Sequence, residues 1–295
     1  EGAARRIFER SGYAKVLCAE YAWVDAEWSE ILGTADAVPL GEVSSPFALR
    51  ALRIRGASPD LRRSEIERGL GGRIQERGGF SVDLERPRTL LLGVLTGGKF
   101  ALGRVVAQRK FSEMAAREPK WKPFSHPTAL HVREARCLVN LARARPGEIL
   151  LDPFCGTGTI LVEAYLIGCE VIGCDISPAM IAGCKRNLEH FGVDPLGLFL
   201  TDSLRFTLRG VGAIASDPPY GRSSTTAGRR ARDVVEAFVS RVDEFLERGR
   251  YACLAAPDHF GLSRMIEERG YELVERHFMR VHGGLTREVC VLRVK

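Results

Sequence analysis

The strongest constraint on this chain is a strand that runs straight into a double-glycine turn, Ile149-Leu-Leu-Asp-Pro-Phe-Cys-Gly-Thr-Gly-Thr159, with a helical stretch from Ile160 to Ile167 behind it. A strand, turn and helix in that order predict a parallel sheet, because the chain must cross back before the next strand can pair. The alternation continues. Glu170 to Cys174 reads as a strand ending at Asp175, and Leu198 to Leu200 leads into Thr201-Asp202-Ser203. Val211 to Ser216 reads as a buried strand that ends in Asp217-Pro-Pro-Tyr-Gly221. Gly249 to Ala255 adds one more strand, and Tyr271 to Val281 pairs with Arg287 to Val294 across Gly283-Gly284 as a terminal hairpin. With a helix from about Leu130 to Ala144 in front, residues 126–295 are expected to form an α/β, Rossmann-like domain with a mixed seven-stranded sheet and a terminal antiparallel hairpin.

The turn residues indicate what such a sheet would hold. Gly156 and Gly158 let the backbone come close to a ligand at the carboxyl end of the first strand. Their spacing is not the Gly-x-Gly-x-x-Gly of dinucleotide sites, which argues against NAD or FAD. Asp152 precedes the turn, where a carboxylate suits an ammonium, and Asp175, 17 residues past Gly158, is placed for ribose hydroxyls. S-adenosylmethionine carries both groups. The expected cofactor contacts are Asp152, Phe154, Cys155, Gly156, Thr157, Gly158, Asp175, Ile176, Asp202, Ser203 and Asp217, with Asp202 meeting the adenine amino group.

Asp217-Pro-Pro-Tyr220 is the most diagnostic motif. Two prolines stiffen the turn, and Pro219 offers no amide hydrogen to compete for the Pro218 carbonyl. An exocyclic amine on a base is a poor nucleophile because its lone pair is conjugated with the ring. If Asp217 and the Pro218 carbonyl each accept one N–H, the nitrogen is drawn toward tetrahedral geometry and its lone pair can face a sulfonium methyl. Asp217 can then take the released proton, and Tyr220 offers a face for the extruded base. Asp217, Pro218 and Tyr220 are the expected catalytic residues.

The front of the chain differs in charge. Residues 46–125 hold 17 Lys and Arg against 8 Asp and Glu, whereas residues 126–295 hold 22 against 21. Excess cation in one segment is the footprint of a surface that follows phosphates. Expected RNA contacts are Lys99, Arg104, Arg109, Lys110, Lys120, Lys122, Arg229 and Arg230, the last two in a basic Gly, Ser and Thr run at Arg222 to Arg232. Trp121 and Phe124 serve equally well as nucleic-acid contacts or as pins for the linker.

Local signals predict a helix at Ala3 to Arg10, a strand at Ala14 to Val24, a short second helix, a linker at Pro39 to Pro46 and a strand at Phe47 to Arg55. Ser58-Pro59 predicts the start of a helix running to about Gln75, with Leu61, Ile66, Leu70 and Ile74 as its apolar stripe. Strands follow at Phe80 to Leu84, Thr89 to Leu95 and Phe100 to Gln108, the last two joined by Thr96-Gly97-Gly98-Lys99. The domains expected are 1–45, 46–108, a linker at 109–125 and 126–295. Eight cysteines form no Cys-x-x-Cys pair, so no metal site is expected and a reducing cytoplasm is. No apolar run is long enough to cross a membrane. The chain opens at Glu1 rather than Met, in a helix-like stretch, which suggests a leading segment that has been removed or left unnumbered.

In its order of elements and its basic bias, the middle segment, with Ser81-Val-Asp-Leu84 before Glu85-Arg-Pro87, resembles a THUMP domain, the RNA-binding module of several tRNA-modifying enzymes. That front, Asp152-Pro-Phe-Cys-Gly-Thr-Gly-Thr159, Asp217-Pro-Pro-Tyr-Gly221 and Pro123-Phe-Ser-His-Pro127 with Ala135-Arg-Cys-Leu-Val-Asn-Leu141 together resemble the archaeal tRNA guanine-N2-methyltransferases acting at guanosine 10. The resemblance implies a class I methyltransferase fold behind a shortened ferredoxin-like part and a THUMP region. It also implies tRNA as substrate, one or two methyl groups on guanine N2, and a small zinc-binding activator subunit as partner. Two alternatives stay open: a methyltransferase of another amine, such as adenine N6 or a glutamine side chain, and a non-catalytic RNA-binding assembly protein.

Overall fold

The computed structural model describes residues 2–109, 111–220, 228–282 and 284–295. They fall into two units, residues 1–9 with 14–109 and residues 10–13 with 110–295. Gly221, the basic run at 222–227, Lys110 and Gly283, all singled out above, lie outside the described residues.

The first unit contains α1 (Gly2–Arg10), β1 (Val16–Asp25), α2 (Trp28–Gly33), β2 (Phe47–Arg53), α3 (Arg63–Gly78), β3 (Thr89–Thr96) and β4 (Lys99–Gln108). Its sheet order is β1-β4-β3-β2. Only β2 and β3 are parallel, and α3 makes the crossover between them. Ile66, Leu70 and Ile74 fall four residues apart on one side of α3 and are each fully buried, in one cluster with Phe47 and Leu49 of β2. Each such side chain contributes about 1.5–3 kcal/mol by leaving water. The helix stops at Gly79, whose φ of 63° suits a residue without Cβ.

Three expectations change here. The helix begins at Arg63, not at Ser58. Ser58 has φ 49°, not the extended backbone of an N-cap, and the Leu61 N–H donates to its carbonyl at 3.2 Å to close a turn before the helix. The stretch 80–84 contributes only an isolated bridge, Phe47 to Val82. The boundary expected at 45/46 falls inside one unit, because β1 pairs with β4 along its length and Val43 of the intended linker is buried in the shared core.

The second unit runs α4 (Phe111–Ala115), α5 (Val132–Leu141), β5 (Ile149–Asp152), α6 (Thr159–Tyr165), β6 (Glu170–Asp175), α7 (Pro178–His190), β7 (Gly197–Leu200), β8 (Val211–Ser216), α8 (Ala231–Val239), β9 (Leu246–Pro257), α9 (Leu262–Glu268), β10 (Glu272–His282) and β11 (Leu285–Arg293). The seven strands lie in the order β10-β11-β9-β8-β5-β6-β7. Pairs from β9 through to β7 are parallel, and β11 is antiparallel to both of its neighbours. Period-two alternation sends Leu150, Ala213, Cys253 and Val291 into one core and Leu151, Ile214, Leu254 and Leu292 into the other, so both faces of the sheet are covered. From β5 the chain builds outward through β6 to β7 and then returns to lay β8 on the other side of β5. The carboxyl ends of β5 and β8 therefore flank the reversal point where α/β sheets open a crevice.

Candidate active site

A pocket opens at that reversal point. Asp152, Asp175, Asp202 and Asp217 line it from the carboxyl ends of β5, β6, β7 and β8, together with Phe154, Cys155, Gly156, Thr157, Ile176, Ser203, Pro218 and Tyr220. Every expected cofactor contact except Gly158 lines this one pocket.

Gly156 and Gly158 have φ of 50° and 81°. A Cβ on Gly158 would stand 2.6 Å from the Cys184 sulfur of α7, so glycine there serves both conformation and packing. Asp175 braces the turn: its Oδ2 accepts from the Gly156 N–H at 3.0 Å and its Oδ1 from the Ser177 N–H at 2.8 Å. Burial pushes the Asp175 carboxyl above its ordinary range. Asp152 is 1% exposed and accepts the Ser216 hydroxyl at 2.6 Å, which ties the end of β5 to the end of β8. Burial raises its pKa to about 7, the Ser216 and Phe154 hydrogen bonds opposing the rise.

Asp217 has two unlike oxygens. Oδ2 accepts from the Arg287 guanidinium at 3.0 Å and from the Tyr220 hydroxyl at 3.2 Å. Oδ1 is sealed from solvent and has no hydrogen-bond partner among the described residues. Burial lifts the Asp217 carboxyl to about 7, although the Arg287 charge and the Tyr220 hydroxyl pull it down. Arg287 also donates to the Tyr220 hydroxyl and faces Glu134 of α5 at 3.4 Å. Burial and the neighbouring Asp217 carboxylate push the Tyr220 hydroxyl well up. The Tyr220 ring carries the Arg287 guanidinium 5.3 Å from its centroid, so one side of the expected stacking surface already has a cation over it.

Asp202 receives Arg229 at 2.8 Å, and despite some burial this guanidinium holds the carboxyl below its usual range. Ser203 is 3% exposed, and Phe154 packs edge-on against Phe238 with centroids 5.2 Å apart.

The expected RNA contacts divide. Lys99 and Lys120 are surface cations, Lys99 pairing with Asp25 at 2.6 Å and Lys120 lying over the Trp121 ring; Arg230 is exposed just before α8. Lys122 is a correction. It is 7% exposed, donates to the Thr159 hydroxyl at 2.6 Å, and burial lowers its pKa to about 8, so it fastens the start of α6 where a phosphate ligand was expected. Arg104 is engaged by the Tyr21 hydroxyl and Glu42, and Arg109 by the carbonyls of Phe8 and Glu9, so both act within the first unit. Of the two linker aromatics, Phe124 is the pin. Asn187 bonds both to the Phe124 backbone and to the Thr157 carbonyl of the glycine turn, each at 2.9 Å, while Trp121 is 62% exposed.

Arg287, Ser216 and Asn187 escaped sequence reasoning. The one signal for Arg287 was a charged pair, Arg287-Glu288, just ahead of the apolar run Val289 to Leu292; both side chains are buried. Ser216 and Asn187 carry no local mark.

A seven-stranded sheet with its antiparallel strand next to the edge, and four carboxylates around a glycine turn, define an S-adenosylmethionine-dependent methyltransferase. The methyltransferase domain described as UPF0020, RMKL-like, matches residues 119–289. The tRNA (guanine(10)-N2)-dimethyltransferase of Methanothermobacter thermautotrophicus is 36% identical over 98% of this chain and 82% of its own length; that of Pyrococcus abyssi is 32% identical over 98% and 86%. The chain belongs to the tRNA (guanine(10)-N2)-dimethyltransferase family. Among solved structures, TrmN from Thermus thermophilus shares the fold with a TM-score of 0.58 at 24% identity, over 96% of this chain and 84% of that one. SMU.472, solved in complex with SAH, also gives a TM-score of 0.58, at 13% identity over 99% and 87%.

Proposed function

We propose that this protein methylates N2 of guanosine 10 in tRNA, first to N2-methylguanosine and then to N2,N2-dimethylguanosine. The carrying observation is Asp217, which lines the pocket and whose Oδ1 is buried with no hydrogen-bond partner among the described residues. A buried acceptor left without a donor costs about 1–3 kcal/mol, and an amine N–H removes that cost.

The donor set fits S-adenosylmethionine. Carboxylates at 152, 175 and 202 suit an ammonium, a ribose diol and an adenine amine, and would repel a pyrophosphate. S-adenosylmethionine supplies a methyl group on a positively charged sulfur. The chain supplies position and proton handling. Asp217 Oδ1 accepts one N–H of guanine N2 and the Pro218 carbonyl accepts the other, which draws the lone pair out of conjugation. With the donor held there, transfer of its methyl from sulfur to N2 would leave a surplus proton on the nitrogen, and Asp217 would accept it. Tyr220 packs beside the base with Arg287 on its far side.

Unit one serves as the RNA-gripping THUMP region. Its parallel β2-α3-β3 crossover, its β3-β4 hairpin and the 13 Lys and Arg against 6 Asp and Glu over residues 46–109 support that assignment. Lys99, Lys120 and Arg230 are the surface cations offered to phosphates. A cytoplasmic setting agrees with eight free cysteines, and no helix among the described residues is long and apolar enough to cross a membrane. The zinc-binding activator subunit rests on the family resemblance and is tested by comparing turnover with and without it.

Mass spectrometry of nucleosides from tRNA incubated with the protein and isotopically labelled donor tests the reaction. Labelled N2-methyl- and N2,N2-dimethylguanosine at nucleotide 10 are expected, and Asp217→Asn should reduce both by about 100-fold or more. Label in methyladenosine, or full activity in Asp217→Asn, would overturn the proposal.

A further inference from the structure

Arg287 lies on β11 opposite Pro257 of β9, and its side chain is 6% exposed. A cation so deeply placed needs anionic partners, and it has Asp217 on one side and Glu134 on the other. Its NH2 group holds Asp217 Oδ2 at 3.0 Å, and its Nε donates to the Tyr220 hydroxyl, which itself donates to the same Oδ2 at 3.2 Å. Two donors therefore converge on one oxygen of the carboxylate. The other oxygen has no donor among the described residues.

We propose that Arg287 is the positioning residue of the methyl transfer: by engaging Oδ2 it leaves Oδ1 as the acceptor for the substrate amine. Glu134 holds the far end of the guanidinium from α5, so the strand next to the sheet edge and the helix preceding β5 together set the orientation of the side chain that follows β8. The inference rests on the methyl-transfer role given to Asp217 above, and it goes beyond it by naming what makes that carboxylate competent. A protonated Asp217 would present a donor where an acceptor is required, and a rotated one would present an oxygen already in use.

Among the described residues, the charged and titratable groups facing Asp217 are Arg287 of β11, Tyr220 of the proline turn, Glu134 of α5 and Asp152 of β5. Arg287 lowers the Asp217 pKa and Glu134 raises it. Removing the first or neutralising the second should thus move the pH profile in opposite directions, which loss of packing alone does not do.

The test is single-turnover methyl transfer to tRNA, with saturating donor, across about pH 6 to 9, for the wild type, Arg287→Met, Arg287→Lys, Glu134→Gln and Asp217→Asn. Arg287→Met should lose about 100-fold in rate near neutrality while its donor Kd stays within about threefold. Its rate should climb to higher pH, with a midpoint raised by about one unit or more, and Arg287→Lys should fall between it and the wild type. Glu134→Gln, which retains an acceptor for Arg287, should shift the midpoint downward and remains informative if Arg287→Met folds poorly. A midpoint that stays put in both Arg287→Met and Glu134→Gln, with Asp217→Asn inactive, overturns the role of Arg287 alone. Activity in Asp217→Asn overturns the reaction scheme itself.

Discussion

Asp152→Asn should stabilise the protein at alkaline pH while weakening its hold on the methyl donor. The wild-type carboxyl is 1% exposed, and burial lifts its pKa to about 7. In the unfolded chain the same group titrates near about 3.9. The folded protein thus prefers the neutral carboxyl and keeps its proton to higher pH than the unfolded chain. The associated stability is complete below about pH 4, drains away as pH rises, and is fully lost above about pH 7. A difference of roughly three units corresponds to about 4 kcal/mol, about a third of it already lost at pH 5. Asparagine is neutral at every pH and keeps an oxygen for the Ser216 hydroxyl and the Phe154 N–H. Thermal unfolding of the two proteins should therefore diverge with pH, the variant gaining roughly 5 to 10 °C on wild type between about pH 5 and 8. If Asp152 faces the ammonium of S-adenosylmethionine, the variant should bind the donor about 10 to 100 times more weakly by calorimetry. A melting difference that is the same at both pH values would refute the burial argument, and unchanged donor affinity would refute the assigned contact.

Gly158→Ala should cost about 1–2 kcal/mol from its left-handed φ and a further amount from the Cys184 contact. Urea unfolding of Gly158→Ala with Cys184→Ala should recover the contact part and leave the conformational part; full recovery would show that φ 81° carries no strain. Lys122→Met should leave the salt dependence of tRNA binding unchanged, since Nζ is committed to Thr159, whereas Lys120→Ala should lower the slope by about one. Equal slopes for the two variants, measured by filter binding, would return Lys122 to the RNA surface.

Much of the methyltransferase unit was legible because its signals are local. The β8 strand was placed at Val211–Ser216 and found there, since an apolar run closed by Asp-Pro-Pro has only one way to begin and end. Ile66, Leu70 and Ile74 of the expected stripe lie on α3, while Leu61 falls in the turn before it: periodicity depends on residues four apart, but whether Ser58 caps a helix depends on its φ, which the turn at 58–61 decides. Lys122 and Lys120 look alike in sequence and end in opposite environments, one beneath α6 and one in solvent. Phe124 and Trp121 part in the same way, because Asn187 lies 63 residues beyond Phe124 and holds only that one.

The order of residues alone settled which segments become strands, which turn must be glycine, and which carboxylates gather at the strand ends, because hydrogen-bonding periodicity and φ restrictions act over a few neighbours. Folding decided what those carboxylates are. Arg287 reaches Asp217 across 70 positions only after β11 inserts beside β9, and burial raises a carboxyl only once the surrounding layers have closed. Charge and solvation act through space, so the chemistry of the pocket exists only in the assembled sheet.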